Sequence, residues 1–166
     1  MSIGISQNVH IEGIVDRQGN NHLVWFDGLR PRQVKYQKSL NPATLIMQGI
    51  PKVGFPVKFI LQDIYNLNGN YLFGLSTNIS QGITLLDGRK FPLDDNSLLQ
   101  GSFYTPKAIG LSNSSGLLNS NNQATVSFDI PNIPSLSGLN LYASFITLNS
   151  TGTVISISDP INLTIL

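Results

Sequence analysis

The sequence predicts an all-β protein, an antiparallel β-sandwich or jelly-roll with an N-terminal β-hairpin extension. Three observations carry that expectation. Strand-like runs recur roughly every 8–12 residues with almost no helical periodicity between them. Charged residues make up only 11% of the chain, under half of the roughly 25% usual in soluble domains. Asn, Ser and Thr supply the polarity instead, and Glu12 is the single Glu, which disfavours long surface helices. Finally, Ala124, Val126, Phe128 and Ile130 alternate with Thr125, Ser127 and Asp129, the period-two mark of a half-buried strand. Pro131 and Pro134 stop that ladder, and Gly138 releases a second alternating run through Leu139, Leu141, Ala143 and Phe145.

Taken in order, residues 9–15 and 22–26 form a hairpin around Asp16 to Asn20. A two-residue turn centred on Gln18–Gly19 would set Glu12 opposite Trp25, Ile14 opposite Leu23 and His10 opposite Asp27. One face then carries Val9, Ile11, Val15, Val24 and Phe26; the other carries His10, Glu12, Ile14, Leu23, Trp25 and Asp27. Residues 28–42 form a basic connector with a short strand at 33–36, so the chain divides into an arm over 1–42 and a sandwich over 43–166. In the sandwich, strands are expected at 44–48, 55–62 and 71–77. The pair 83–86 and 89–93 surrounds Asp87-Gly88, a hairpin dipeptide by its φ preferences. Residues 98–104 read as the next strand and 112–122 as a mobile polar loop. Strands at 154–157 and 161–166 close the series.

The chemistry-bearing residues are sparse. Without cysteine there are no disulfides, thiol nucleophiles or Cys-ligated zinc. His10 and His22 fall on opposite sides of the expected hairpin, and no G-x-S-x-G elbow accompanies them. Asp94 and Asp95 are adjacent, so on a strand they point apart and cannot act on one glycosidic bond. Neither GxGxxG nor GK[ST] occurs. No catalytic or cofactor-binding residue is therefore expected, and the chain reads as non-enzymatic. Calcium is the metal such an oxygen-rich sequence would take, with Asp94, Asp95 and Asn96 as candidate ligands; the competing reading is a turn that caps a neighbouring element through Asx hydrogen bonds. Asn78, Asn113, Asn149 and Asn162 begin N-x-[ST] sequons, which chance supplies in so Asn- and Ser-rich a chain.

From about residue 53 onward the order of features resembles a C-terminal β-sandwich domain of exported proteins in planctomycetes and related bacteria. VGFPVKFIL, YLFGLS, LLDGRKFPLD, IPNIPSLSGLNLYASF and ISDPINLTI carry the resemblance. It implies a non-enzymatic module exposed on a surface.

Charge and exposed groups point the same way. Residues 1–60 hold seven basic and three acidic side chains (+4), and residues 61–166 hold three basic and six acidic (−3). Such a split would help neighbouring copies meet head to tail. The expected interface comprises Trp25, Glu12, His10 and Asp27 with the basic Arg30, Arg32, Lys35 and Lys38. The function expected is a structural subunit decorating or cementing a larger exposed particle, such as a phage capsid or tail or a bacterial surface layer. Its location would be the virion, the extracellular space or the cell surface. The partner is a protein or a second copy. A glycan is the alternative, bound through Trp25, Tyr36, Tyr65, Tyr71 or Tyr104, with calcium bracing a loop. Nucleic acid is not expected, since only Tyr36 is interleaved with the basic segment. No run of roughly 18 apolar residues suggests a membrane helix, and the first residues encode no secretory leader.

Overall fold

Successive residues alternate between buried and exposed or half-buried along the strands Ala43–Gln48, Pro56–Asp63 and Gln123–Asp129. The structure, a computed structural model, describes residues 10–15, 21–27, 33–38, 42–66 and 68–166, the first three segments as strand backbone alone. The chain divides into two compact units, Met1–Leu40 and Asn41–Leu166.

In the first unit, β1 (His10–Val15), β2 (Asn21–Asp27) and β3 (Gln33–Lys38) form an antiparallel sheet in chain order. The expected register is corrected by one residue. His10 pairs with Phe26, Glu12 with Val24 and Ile14 with His22, while Trp25 pairs with Ile11 and Lys35. The paired ends Val15 and Asn21 leave residues 16–20 between the strands. An odd-length connection displaces the pairing from that of a two-residue turn. Two consequences follow. The anticipated Glu12–Trp25 and His10–Asp27 pairs do not form, and His10 and His22 occupy rows of like parity rather than opposite ones.

The second unit is a sandwich. Its first sheet has the order β4 (Ala43–Gln48), β5 (Pro56–Asp63), β11 (Gln123–Asp129), β9 (Leu111–Ser112). Its second runs β10 (Ser115–Leu117), β6 (Asn70–Ser76), β12 (Asn140–Leu148), β13 (Val154–Ile157), with β14 (Ile161–Thr164) also on β12. The segment with the two prolines carries the chain from one sheet to the other, because β11 lies in the first and β12 in the second. Val57, Phe59, Leu61 and Val126 of the first sheet face Tyr71, Phe73, Leu75, Leu141 and Phe145 of the second in one core. Phe59 and Phe73 meet across it at 4.9 Å between ring centroids.

The other face of the second sheet is covered too. The hairpin β7 (Ile83–Thr84) and β8 (Lys90–Phe91) and the helix α1 (Ser97–Tyr104) lie against it. There Phe91, Leu93 and Leu99 pack with Ile146 and Ile157 in a second cluster. The strand expected over 98–104 is thus a helix. Asn96 supplies the cap, its Oδ1 accepting the N–H groups of Leu98 and Leu99 at 3.1 Å. A cap at Asn96 places Leu99, Ser102 and Phe103 along one helical face, and Leu99 and Ser102 are buried there.

The loop expected to be mobile over 112–122 is corrected as well. It begins on the last residue of β9 and contains β10, Ser114 and Leu118 are buried, and the Ser114 carbonyl accepts the Phe73 N–H at 2.7 Å. Its polar side chains misled because its order comes from backbone pairing with β6, which side-chain polarity does not report.

Candidate interaction surface

Antiparallel pairing fixes which loops gather at each end of the sandwich. At one end lie the β4–β5 loop, residues 49–55, and the crossover between sheets, residues 130–139. They are bonded together: the Gly54 N–H donates to the Ile130 carbonyl at 3.2 Å and the Val53 N–H to the Leu166 carbonyl at 3.0 Å. The Leu166 N–H in turn donates to Pro51, and the Ile165 N–H to Leu139.

These loops present large apolar side chains to solvent. Ile50 is 67% exposed, Phe55 56%, Ile133 49% and Leu139 37%. The Lys52 ammonium stands over the Phe55 ring, 5.3 Å from its centroid. Phe55 is the first residue of the strand expected over 55–62. It instead precedes β5 and points out. Isolated exposed apolar residues are ordinary, whereas four on loops gathered at one end of the fold make that end a candidate interaction surface. The signal in the sequence was the setting of these residues, Ile50-Pro51, Gly54-Phe55-Pro56, Ile133-Pro134 and Gly138-Leu139. Turn residues at each deny the apolar side chain a place on a buried strand face.

A second apolar feature lies at the tip of the β7–β8 hairpin. Leu86 is fully exposed beside a groove of about 550 Å³ that it lines with Leu85, Thr151, Thr153 and Val154. The tip is held firmly. Arg89 donates from Nε and Nη2 to Asp87 Oδ2 at 2.8 and 2.6 Å, and from Nη1 and Nη2 to the Ile155 and Val154 carbonyls. The guanidinium beside it holds the Asp87 carboxyl below the usual carboxylate range. Arg89 also occupies carbonyls of β13, which blunts that edge of the sheet.

The anticipated calcium ligands are in place, but their oxygens are turned to separate structural tasks. Asp94 accepts four hydrogen bonds from the loop before β7: Ser80 N–H at 3.1 Å, Ser80 Oγ at 2.7 Å, and Gln81 and Gly82 N–H at 2.7 Å. These donors, the Gly82 N–H foremost, lower its pKa to about 2. Asp95 accepts from Gln100 Nε2 at 3.1 Å. Asn96 caps α1 and donates from Nδ2 to Ser76 Oγ at 2.6 Å and to Thr77 Oγ1 at 3.1 Å. Among the described residues no group of three or more His, Cys, Asp or Glu side chains is arranged to hold a metal.

Of the expected interface residues, His10, Glu12, Trp25, Asp27, Lys35 and Lys38 lie on the first sheet, described by register alone. There Asp27 pairs with Gln33 and Lys38 with His22. Arg30 and Arg32 lie outside the described residues. Of the expected sugar-stacking tyrosines, Tyr65 and Tyr104 are 71% and 82% exposed. Tyr71 is corrected: it is buried, and its hydroxyl donates to the Asn113 carbonyl at 2.8 Å. Burial pushes its pKa up. Tyr36 sits on β3, where only backbone is described. Among the described residues no helix is long and apolar enough to cross a membrane.

No protein-family model matches the chain, and no curated protein matches it.

Proposed function

We propose that this protein is a non-enzymatic assembly subunit, a β-sandwich that decorates or cements a larger exposed particle such as a phage capsid or tail or a bacterial surface layer. The observation that supports the reading most is the apolar end of the sandwich, where Ile50, Phe55, Ile133 and Leu139 are exposed on loops bonded to one another. Contact of that end with a protein surface would remove these groups from water, which favours association at about 25 cal/mol per Å² of apolar area. Lys52 over Phe55 suits a partner whose contact surface is apolar with an acidic group near its middle. The resemblance to surface-exposed sandwich domains agrees with this reading.

The test is co-sedimentation with the native particle, together with light scattering of the purified protein. Wild type is expected to associate. Phe55→Asp combined with Ile133→Asp is expected to abolish association with little change in melting temperature, since both side chains already face water. A protein that stays monomeric at all concentrations and sediments with no particle would overturn the proposal.

Carbohydrate binding is the second reading, favoured by the exposure of Tyr65 and Tyr104. They lie on separate elements, Tyr65 just after β5 and Tyr104 at the end of α1. Binding on a glycan array that is lost in Tyr65→Ala or Tyr104→Ala would favour it over assembly; an array without binding disposes of it.

A further inference from the structure

At the sandwich end opposite the apolar patch, two departures from ordinary burial coincide. Asp63, the last residue of β5, is wholly buried. Its carboxylate accepts hydrogen bonds from Thr147 Oγ1 on β12 of the facing sheet, 2.5 Å from Oδ2, and from the Tyr65 N–H, 3.0 Å from Oδ1. Among the described residues no lysine or arginine forms an ion pair with it; the ion pair they do contain, Arg89 with Asp87, belongs to the β7–β8 hairpin. A carboxylate taken out of water without a counter-charge is costly, and two hydrogen bonds offset only part of that cost. Beside it, the Asp63 N–H donates to the Asn122 carbonyl at 3.1 Å, and Asn122 carries a buried Oδ1 that no donor reaches. Thus a buried carboxyl group has no basic side chain beside it among the described residues, and Asn122, its backbone partner, holds an acceptor lacking a donor.

We propose that this end of the sandwich binds a hard cation, sodium or calcium, through Asp63, Asn122 Oδ1 and Thr147 Oγ1. The donors are all oxygen, which hard cations prefer, and none of them is a soft ligand. One carboxylate among neutral oxygens balances sodium fully and calcium in part, so affinity for calcium falls short of that of sites with several carboxylates. Magnesium demands near-ideal octahedral geometry, so donors fixed on two strands and one turn favour sodium or calcium over it. The cation would join the two sheets where Asp63 and Thr147 already meet, and would fasten the turns at residues 64–66 and 118–122. This site uses none of the residues of the apolar end, so its fate is independent of the assembly reading.

The test is made on the full chain, stripped of metal and dialysed into tetramethylammonium chloride at fixed ionic strength. Melting temperature is measured on adding sodium, calcium or magnesium chloride, and stoichiometry is measured by calcium titration calorimetry. A rise with sodium, with calcium or with both, larger than that with magnesium, is expected; which ion acts assigns the occupant. Asp63→Asn keeps the shape, removes the charge, and is expected to abolish the response. Asn122→Gly tolerates the left-handed backbone at this position, φ +59°, and is expected to weaken binding at least tenfold. Should Asp63→Asn fail to fold, the Asn122→Gly shift decides. Wild-type stability indifferent to sodium and calcium, or variants that respond as wild type does, would overturn the proposal.

Discussion

Asp94 shows how much one side chain can organise. Its carboxylate gathers the N–H groups of Ser80, Gln81 and Gly82 and so ties the chain leaving β6 to the segment entering α1. Its pKa is lowered from 3.8 to about 2. A depressed carboxyl stabilises the fold above its unfolded pKa, and that contribution disappears as pH falls through the folded value. Asp94→Asn is therefore expected to melt below wild type at neutral pH. The gap should hold down to about pH 4 and close toward pH 2; thermal melts of both proteins across that range check it. A gap independent of pH would mean that the carboxylate's charge is not what matters. Ser102 does comparable work inside the molecule. Its Oγ donates to the Leu98 carbonyl at 2.9 Å and accepts the Leu75 N–H at 3.0 Å, linking α1 to β6. Ser102→Ala leaves that buried N–H without an acceptor and should cost about 1–3 kcal/mol in urea denaturation. Such residues are hard to read in a sequence. Ser102 looks like any surface serine of a low-charge chain, and Asp63 meets Thr147 across 84 positions of separation. What makes each matter is a partner that only the folded topology supplies. Asp87-Gly88 was legible for the opposite reason: the turn and its Arg89 clasp are local.

Among the elements, strand positions were legible wherever one face is buried, as in β5 and β11, because burial imposes a period of two. Two failures have definite physical causes. Over 98–104 the residues fit either a strand or a helix, and the cap at Asn96 decides for the helix. In the N-terminal hairpin the strands were placed correctly but the register was not, since register depends on loop geometry rather than strand content. The placement of α1 makes its own demand on β6. A Cβ at Gly74 would lie 2.4 Å from Leu99 Cδ1 and 3.3 Å from both Leu93 Cδ1 and Phe103 Cε1. Gly74→Val should therefore push α1 off the sheet at a cost of about 1–3 kcal/mol. Hydrogen exchange is expected to show faster opening of residues 97–104 with β5 and β11 unaffected; uniform destabilisation of both sheets would refute local displacement of the helix.

At the scale of the whole molecule, two distinct forces could draw copies or partners together, and salt separates them. The split of +4 over residues 1–60 against −3 over 61–166 would act through charge. The apolar end with Phe55 and Ile133 would act by removing hydrocarbon from water. Raising ionic strength from about 0.05 to about 0.5 M shortens the screening length from roughly 14 to roughly 4 Å and so quenches attraction between exposed charges. It leaves burial of apolar surface intact or slightly strengthened. Association through the apolar end is therefore expected to change by less than about threefold over that range, whereas charge-led association would fall by more than about tenfold. Sedimentation velocity at both salt concentrations distinguishes them, with Phe55→Asp/Ile133→Asp as the reference that removes the apolar contribution. Trp25→Ala completes the comparison for the first unit: loss of association with the melting temperature unchanged would place Trp25 in the interface, while unfolding of that unit would place it in a core. If salt dissolves the assembly and the double substitution leaves it intact, the charge split is the adhesive and the apolar end has another use.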